Sequence, residues 1–466
     1  MVAKLRSGAG RAMVGICLLW FGWMLYLALH RWHGLTFGAF DIGIFDQGLW
    51  LLANGHEPFV TLRGLHLLAD HASYLLYLMV PLYWLWEDAR VLILLTVAAP
   101  ALAGWISFRI GRLEGLRPWS AVLVGATVLA MPAMLWTPWD AFHPETLAIV
   151  LLPASYLAAR RNRFVLAVAL AAVILGAKED AGLLVAPYAL YMWWRWRDAR
   201  PHSYVLAALA VVVTALSLFV VLPGHSPTGE LIYTSRYSFD ASLLTSSRAL
   251  YLAAMLVPGI LALAAPRFLL VGLPITLANL ASSHNYQHDI RFHYSAYLLG
   301  VLAVAVPLGS ARVMSRVGPR SATRALTVAA LISVGMLIAL GPALVTWFGE
   351  WGGINPAEQA EFDTLVASVP PDASVTATWS LAPHLAHRVA VYTAPNPFQE
   401  RFWGAGGLPP LPDPATVEYL AVDPRKTELG QDPMLGVIEA EDWEIVQAGT
   451  FVLARRPDPP QPASHP

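Results

Sequence analysis

Apolar runs of about 17–22 residues recur from Met13 to about residue 346, and the turns between them are alternately rich and poor in arginine. An α-helix rises 1.5 Å per residue, so a run of this length covers the roughly 30 Å of hydrocarbon in a bilayer. Backbone N–H and C=O groups find no water there, so such a chain crosses as helices that satisfy their own backbone. The composition agrees: 57% of the residues are hydrophobic and 13% charged, against roughly 45–50% and 25% in soluble domains. A net charge of −1 gives no support for nucleic acid or another polyanion as a partner. The single cysteine, Cys17, excludes an intrachain disulfide.

Eleven spans are expected, at about 13–30, 90–108, 119–136, 146–159, 164–177, 181–194, 203–222, 248–264, 268–281, 294–310 and 325–346. Several are short, so nine to thirteen is the range. Lys4, Arg6 and Arg11 precede the first run and HRWHG follows it without a cleavage pattern, which reads as an uncleaved anchor. Cytoplasmic loops carry an excess of Lys and Arg. Arg109/Arg112/Arg117, Arg160/Arg161/Arg163, Arg195/Arg197/Arg200, Arg267 and Arg312/Arg316/Arg320/Arg324 all fall on the N-terminal side, whereas the other loops hold scattered single cations. The expectation is a multi-pass plasma-membrane protein with a cytoplasmic N-terminus. This alternation requires the apolar stretch Leu65–Trp86 not to cross. With Asp70, His71 and Pro81 inside it, it reads as one helix lying in the interface, preceded by a shorter helix over Gly43–Ala53.

After about Phe348 the runs stop and Pro, Asp and Glu become frequent. VPPDASVTATWSLAPHL, RVAVYTAP and VEYLAVD read as strands. The expected division is a helical membrane domain over 1–347, an extracytoplasmic α/β domain over 348–456 and a disordered tail over 457–466.

The polar motifs sort to the arginine-poor side. Asp41 and Asp46 stand in FDIGIFDQGLW, and His66, Asp70 and His71 in the next segment. Asp140, His143 and Glu145 come from TPWDAFHPE, Lys178, Glu179 and Asp180 from GAKEDAGL, and His284, His288, Asp289, Arg291 and His293 from SSHNYQHDIRFHY. Ionisable groups at the edge of lipid are costly unless they pair or face a cavity, so clustering at one side marks a candidate site. Each has a plainer reading. Asp41 suits an N-cap, and Asp46 an interface position open to water. His143-Pro144-Glu145 fits a helix start. Lys178, Glu179 and Asp180 suit an ion-pair network. His284, His288 and His293 suit a solvated loop, and YMWWRWRD at 191–198 an interfacial aromatic belt. One His and two acids fall short of a metal signature, leaving a divalent metal open without demanding one. No Gly-rich phosphate loop, Walker lysine or nucleophile elbow occurs.

The ordered strings FDIGIFDQGLW, AFHPE, KEDAGL and HYSAY, with the later VPPDASVTAT and LAPHLAHR, resemble the bacterial membrane family catalogued as domain of unknown function 2079. That family is similar to glycosyltransferases of the GT-C fold, multispan enzymes that use polyprenyl-phosphate sugars and carry an acidic residue in a long first outer loop. The resemblance implies a transfer from such a donor to an extracytoplasmic glycan, lipid or protein acceptor. Asp41 is then the first choice for a base, with Asp46 and Glu145 in support. Lys178 and Arg291 become candidates for the donor phosphate, and His71, His143, Glu179 and Asp180 for the rest of the pocket. DHASY stands where the family pattern expects an HF(S/T)P-like string, and the first loop has no adjacent Asp-Asp pair. The rival classes are a transporter or flippase, which predicts two related halves with broken helices, and a non-catalytic envelope assembly protein.

Overall fold

The computed structural model describes residues 8–237, 245–342, 354–425 and 434–457. Lys4 and Arg6, the domain junction expected at 347–348 and all but Pro457 of the tail expected over 457–466 lie outside the described residues. Among those residues, five helices are long and apolar enough to cross a membrane: Gly8–His33, Arg90–Leu113, Arg197–His225, His293–Arg316 and Arg320–Leu340. A sixth crossing arises if Pro118–Leu129 and Pro132–Trp139, bent by 48°, form one span. The chain is therefore a multi-pass membrane protein. Length and apolarity support five or six of the eleven expected spans, and most of the others correspond to shorter apolar helices.

In chain order the helices are α1 (Gly8–His33), α2 (Ile44–Ala53), α3 (Leu75–Leu85), α4 (Arg90–Leu113), α5 (Pro118–Leu129), α6 (Pro132–Trp139) and α7 (Ala148–Ala159). Next come α8 (Phe164–Leu175), α9 (Gly182–Arg195), α10 (Arg200–Leu216), α11 (Ser246–Leu256), α12 (Leu273–Ala281), α13 (Ala296–Arg316) and α14 (Pro319–Leu340). Helices α4 and α13 form the centre, each with 67% of its apolar window buried, whereas α1 and α14 have 22% and 17%. Leu18 and Leu19 on α1, Phe219 beyond α10 and Leu331 on α14 are exposed. Such large apolar side chains would form a liability in water but are at home against lipid.

Two expected elements break. The run Leu65–Trp86 is not one helix: it opens as a strand, makes a four-residue turn at Leu67–Asp70, runs extended through His71 and only then enters α3. Long-range bonds pull it open, because Leu75 N–H donates to the Gly176 carbonyl at 2.7 Å and Ala72 N–H to Glu179 at 3.1 Å. At roughly 16 Å, the eleven-residue α3 covers about half the hydrocarbon thickness. The expected span 248–264 stops at Leu256 and resumes as a short 3-10 turn, Ile260–Ala264, after Pro258 and Gly259. Proline supplies no N–H to continue the ladder, and glycine favours the break.

Polar contacts segregate to the two ends of the bundle. At one end Arg160 Nε meets Glu114 at 2.6 Å, Arg312 donates to the Ala264 carbonyl at 2.8 Å, and Arg267 lies over Trp194. The loops after α1, α6 and α8 and before α13 meet at the other end.

A mixed five-stranded sheet stands at that second end. Its strands are β3 (Val375–Ala377), β4 (Val391–Thr393), β5 (Tyr419–Val422), β6 (Glu444–Gln447) and β7 (Val452–Arg455), in the order β4-β3-β5-β7-β6; β1 (Phe59–Val60) and β2 (Leu65–His66) form a small hairpin in the first loop. β3 is parallel to β4 and β5, and β7 is antiparallel to β5 and β6. Helices α15 (Pro356–Ser368) and α16 (Met434–Ala440) flank the sheet.

The sheet is bolted to the first loop. Thr61 Oγ1 donates to Val391 O at 2.7 Å and accepts from Val391 N at 3.0 Å, while Gln47 Nε2 donates to Thr61 at 2.8 Å. Gly64, at φ +70°, lies under Trp403, where an added Cβ would come within 2.4 Å of the indole. Gly38 lies still closer under Trp379. Gly64→Ala combines left-handed strain with overpacking, so it should destabilise the docked sheet by about 1–3 kcal/mol. The check is earlier proteolytic release of the segment after residue 354, with a lowered melting temperature of the detergent-solubilised protein.

Candidate functional site

The site begins where α1 ends. Arg31 is buried, donates to the carbonyl of Trp139 and to Thr36 O at 2.8 Å, and lies 4.6 Å from the rings of Phe37 and Trp139. This ties the first loop to the end of α6. Asp41 sits in a π-turn, Ala39–Gly43, and its Oδ2 accepts from Gly38 N–H at 3.0 Å. It therefore caps the turn that contains it, not the helix expected from Gly43. Burial raises the pKa of Asp41, and the Gly38 N–H and Arg31 offset this only in part. Asp140, just past α6, is pushed well above the ordinary carboxylate range by burial and by the charges of Asp41 and Glu145. The same electrostatics place Asp41, Asp140 and Glu145 in one neighbourhood.

His293 closes over Asp140, with its backbone N–H at 2.6 Å and its Nδ1 at 2.8 Å from Asp140 Oδ2. Its ring stacks on His143 at 3.4 Å between centroids, and its Nε2 lies 3.6 Å from Glu145. Glu145 in turn lies 3.8 Å from Lys178 Nζ, in a pair whose side chains are 5% and 6% exposed. Lys178 also sits 5.0 Å over the Tyr294 ring. Burial works against its charge, but Glu145 and Asp180 outweigh burial and raise its pKa well above normal, so it stays an ammonium.

A second group adjoins the first. Glu179 accepts from Ala72 N–H and lies 3.0 Å from His71 Nδ1. Burial and Lys178 push the His71 pKa down, yet Glu179 and Asp70 leave it raised. Asp70 accepts from the Tyr233 hydroxyl and stands 3.9 Å from Arg63. Asp180 keeps one buried carboxylate oxygen without a hydrogen-bond partner. These residues border a cavity of about 380 Å³ with two chemistries. Lys178, Asp180 and Arg236 line its polar end, while Leu183, Leu218 and Leu222 line its apolar wall. Leu218 and Leu222 belong to the long helical stretch Arg197–His225, whose apolar window is only 22% buried.

The structure thus brings together Asp41, His71, His143, Glu145, Lys178, Glu179 and Asp180. It sets two candidates apart. Asp46 is buried, accepting from Tyr83 at 2.7 Å, with His387 Nε2 at 2.9 Å; it fastens α2 to α3 and to the bend that precedes β4 and does not open to water. Arg291 folds back on Asp289 at 2.7 Å with its side chain 52% exposed, and it borders a different cavity, with Tyr251 and Leu340. The solvated-loop reading fails for His293, whose side chain is 13% exposed, and for His288, which is buried. Tyr233 and Arg236 carried no sequence signal of their own, and Tyr294 entered only as a member of the HYSAY string. Asp140 shares a string with His143 and Glu145, and that adjacency was the available clue.

The two lysine and arginine candidates should differ in energetic weight. Lys178→Met removes the ammonium partner of buried Glu145 and should cost about 3–5 kcal/mol of stability. Arg291→Ala removes an exposed pair and should cost less than about 1 kcal/mol. Unfolding of the two variants in the same detergent checks both, and equal losses would contradict this reading.

Comparison with known proteins follows this geometry. The fold matches crystal structures of ArnT from Cupriavidus metallidurans, one in the apo state and one bound to undecaprenyl phosphate. Both share 14% identity at a TM-score of 0.58, covering 94% of this chain and 98% of theirs. This likeness shows a common fold and agrees with the GT-C resemblance. No curated protein sequence matches. A family model does match, over residues 31–435, and by that match the chain belongs to the family described as Predicted membrane protein (DUF2079).

Proposed function

We propose that the chain is a glycosyltransferase that moves a sugar from a polyprenyl-phosphate donor to an extracytoplasmic glycan, lipid or protein acceptor. The observation that carries this reading is the cavity with a cationic end at Lys178 and Arg236 and an apolar wall on a lipid-facing helix. A lipid phosphate needs both surfaces at once: fixed cations for the headgroup and hydrocarbon contact for the first prenyl units. The fold shared with a chain crystallised with undecaprenyl phosphate supports the same choice.

In this reading Asp41 takes the proton of the acceptor hydroxyl as its oxygen attacks the anomeric carbon. The bond from that carbon to the phosphate oxygen breaks on the opposite face, and the polyprenyl phosphate leaves with the electron pair, so the anomeric configuration inverts. Lys178 and Arg236 stabilise the charge growing on the leaving phosphate. Arg236 takes the place that Arg291 held as the second cation. Glu145 holds Lys178, and Asp46 has a docking role. The arginine-rich end faces the cytoplasm, and the C-terminal sheet lies outside with the first loop to which it is bonded.

Asp41→Asn should lower kcat by about 10²–10⁴-fold with little change in KM for the donor, measured in liposomes supplied with polyprenyl-phosphate sugars. Burial raises the Asp41 pKa, and a base works only when deprotonated. Activity should therefore fall as pH drops through a value above the usual carboxylate pKa of about 4, and this acidic limb should disappear in the residual activity of Asp41→Asn. Equal turnover by the two proteins would refute the assignment. For topology, a compartment-sensitive reporter fused after Ala357 should be active only outside the cytoplasm.

A further inference from the structure

We propose that Asp140, His143 and His293 hold one divalent transition-metal ion of the zinc class, with Glu145 supporting the site from behind His293. Among the described residues these three form the one set of His, Cys, Asp or Glu whose donor atoms all lie within 4.8 Å of one another. They come from two loops 153 residues apart, after α6 and before α13, so the fold assembles the set. His143 is 9% exposed, and its Nδ1 is buried without a hydrogen-bond partner, 3.8 Å from Asp140 Oδ2. An imidazole nitrogen left bare in the interior costs free energy that a metal bond would recover.

The distances suit the purpose. Tetrahedral zinc bonds of about 2.0–2.1 Å separate the ligand atoms by about 3.3 Å. The present gaps are 2.8 Å from His293 Nδ1 to Asp140 and 3.8 Å from His143 Nδ1 to Asp140. Ligation by both rings would replace their stacking, since the 3.4 Å stack must open for both nitrogens to face one ion. When His293 Nδ1 binds, its proton moves to Nε2, which faces Glu145 at 3.6 Å. A carboxylate behind a ligating histidine is the usual outer-shell support. Two imidazoles and one carboxylate favour zinc and its neighbours over magnesium or calcium, which take all-oxygen shells. Three protein ligands leave a fourth position for water or a substrate oxygen.

Metal content tests this independently of sugar transfer. Full-length protein in detergent is equilibrated with micromolar zinc, desalted and assayed by elemental mass spectrometry. Wild type and Arg291→Ala should each retain about one zinc per chain. His143→Ala and His293→Ala should retain none, and Glu145→Gln should bind about 10–100-fold more weakly. Where a histidine variant fails to elute as a single folded species, the wild type decides through cobalt. Four-coordinate cobalt should give an intense visible spectrum that zinc abolishes. A metal-free wild type, a wild type without that spectrum, or folded histidine variants with full zinc would each overturn the proposal.

Discussion

Hydrocarbon gives ionised side chains no solvent, and the placement of the charged groups described in the helical bundle follows from that constraint. Charges collect at the two ends of the bundle, and each end then solves its own problem. At the arginine-rich end the cations cap helix termini, as Arg312 does at the Ala264 carbonyl, or pair once, as Arg160 does with Glu114. At the other end acids, histidines and a lysine are packed inward. Buried there, they need partners drawn from several loops, and Lys178 between Glu145 and the Tyr294 ring is the pivot of that arrangement.

The C-terminal sheet completes this end. Thr61 and Gln47 extend the first loop's hydrogen bonding onto Val391 and its neighbours, and Asp46 reaches His387 across 341 residues of sequence. Burial lowers the His387 pKa, but Asp46, with Glu87 and Asp88, leaves it raised, which favours the protonated ring at this contact. Trp379 and Trp403 press against Gly38 and Gly64, where any side chain would collide. The π-turn that carries Asp41 is therefore held from both sides: from below by Arg31 bonded to the end of α6, and from above by Trp379. A carboxylate held in this way has little conformational freedom left to lose.

Much of this was legible in the chain. The alternation of arginine-rich turns sorts the polar motifs to one side of the expected spans, and the strings around Asp41, Glu145 and Lys178 stand out among them. Their partners were harder to see. Asp46 sits five residues from Asp41 and looks equivalent, yet one turn of helix points it at Tyr83. His293 looked like one histidine of a solvated loop, and Arg291 two residues earlier like a phosphate ligand; in the structure the first is stacked inside and the second lies outside on Asp289. The stretch Leu65–Trp86 has the composition of a helix, but its backbone is opened by bonds to Gly176 and Glu179, about a hundred residues away.

The sequence by itself determined the solvent of the fold, the separation of its two polar ends and the family to which it belongs. These rest on local quantities: the length of an apolar run, the number of cations in a turn, the order of short strings. Tertiary structure alone decided which ionisable groups share a site and which cavity they border. That choice depends on backbone paths that bring residues 41, 140, 178 and 293 together, and on the steep cost of burying a charge without a partner, which no local window of sequence records.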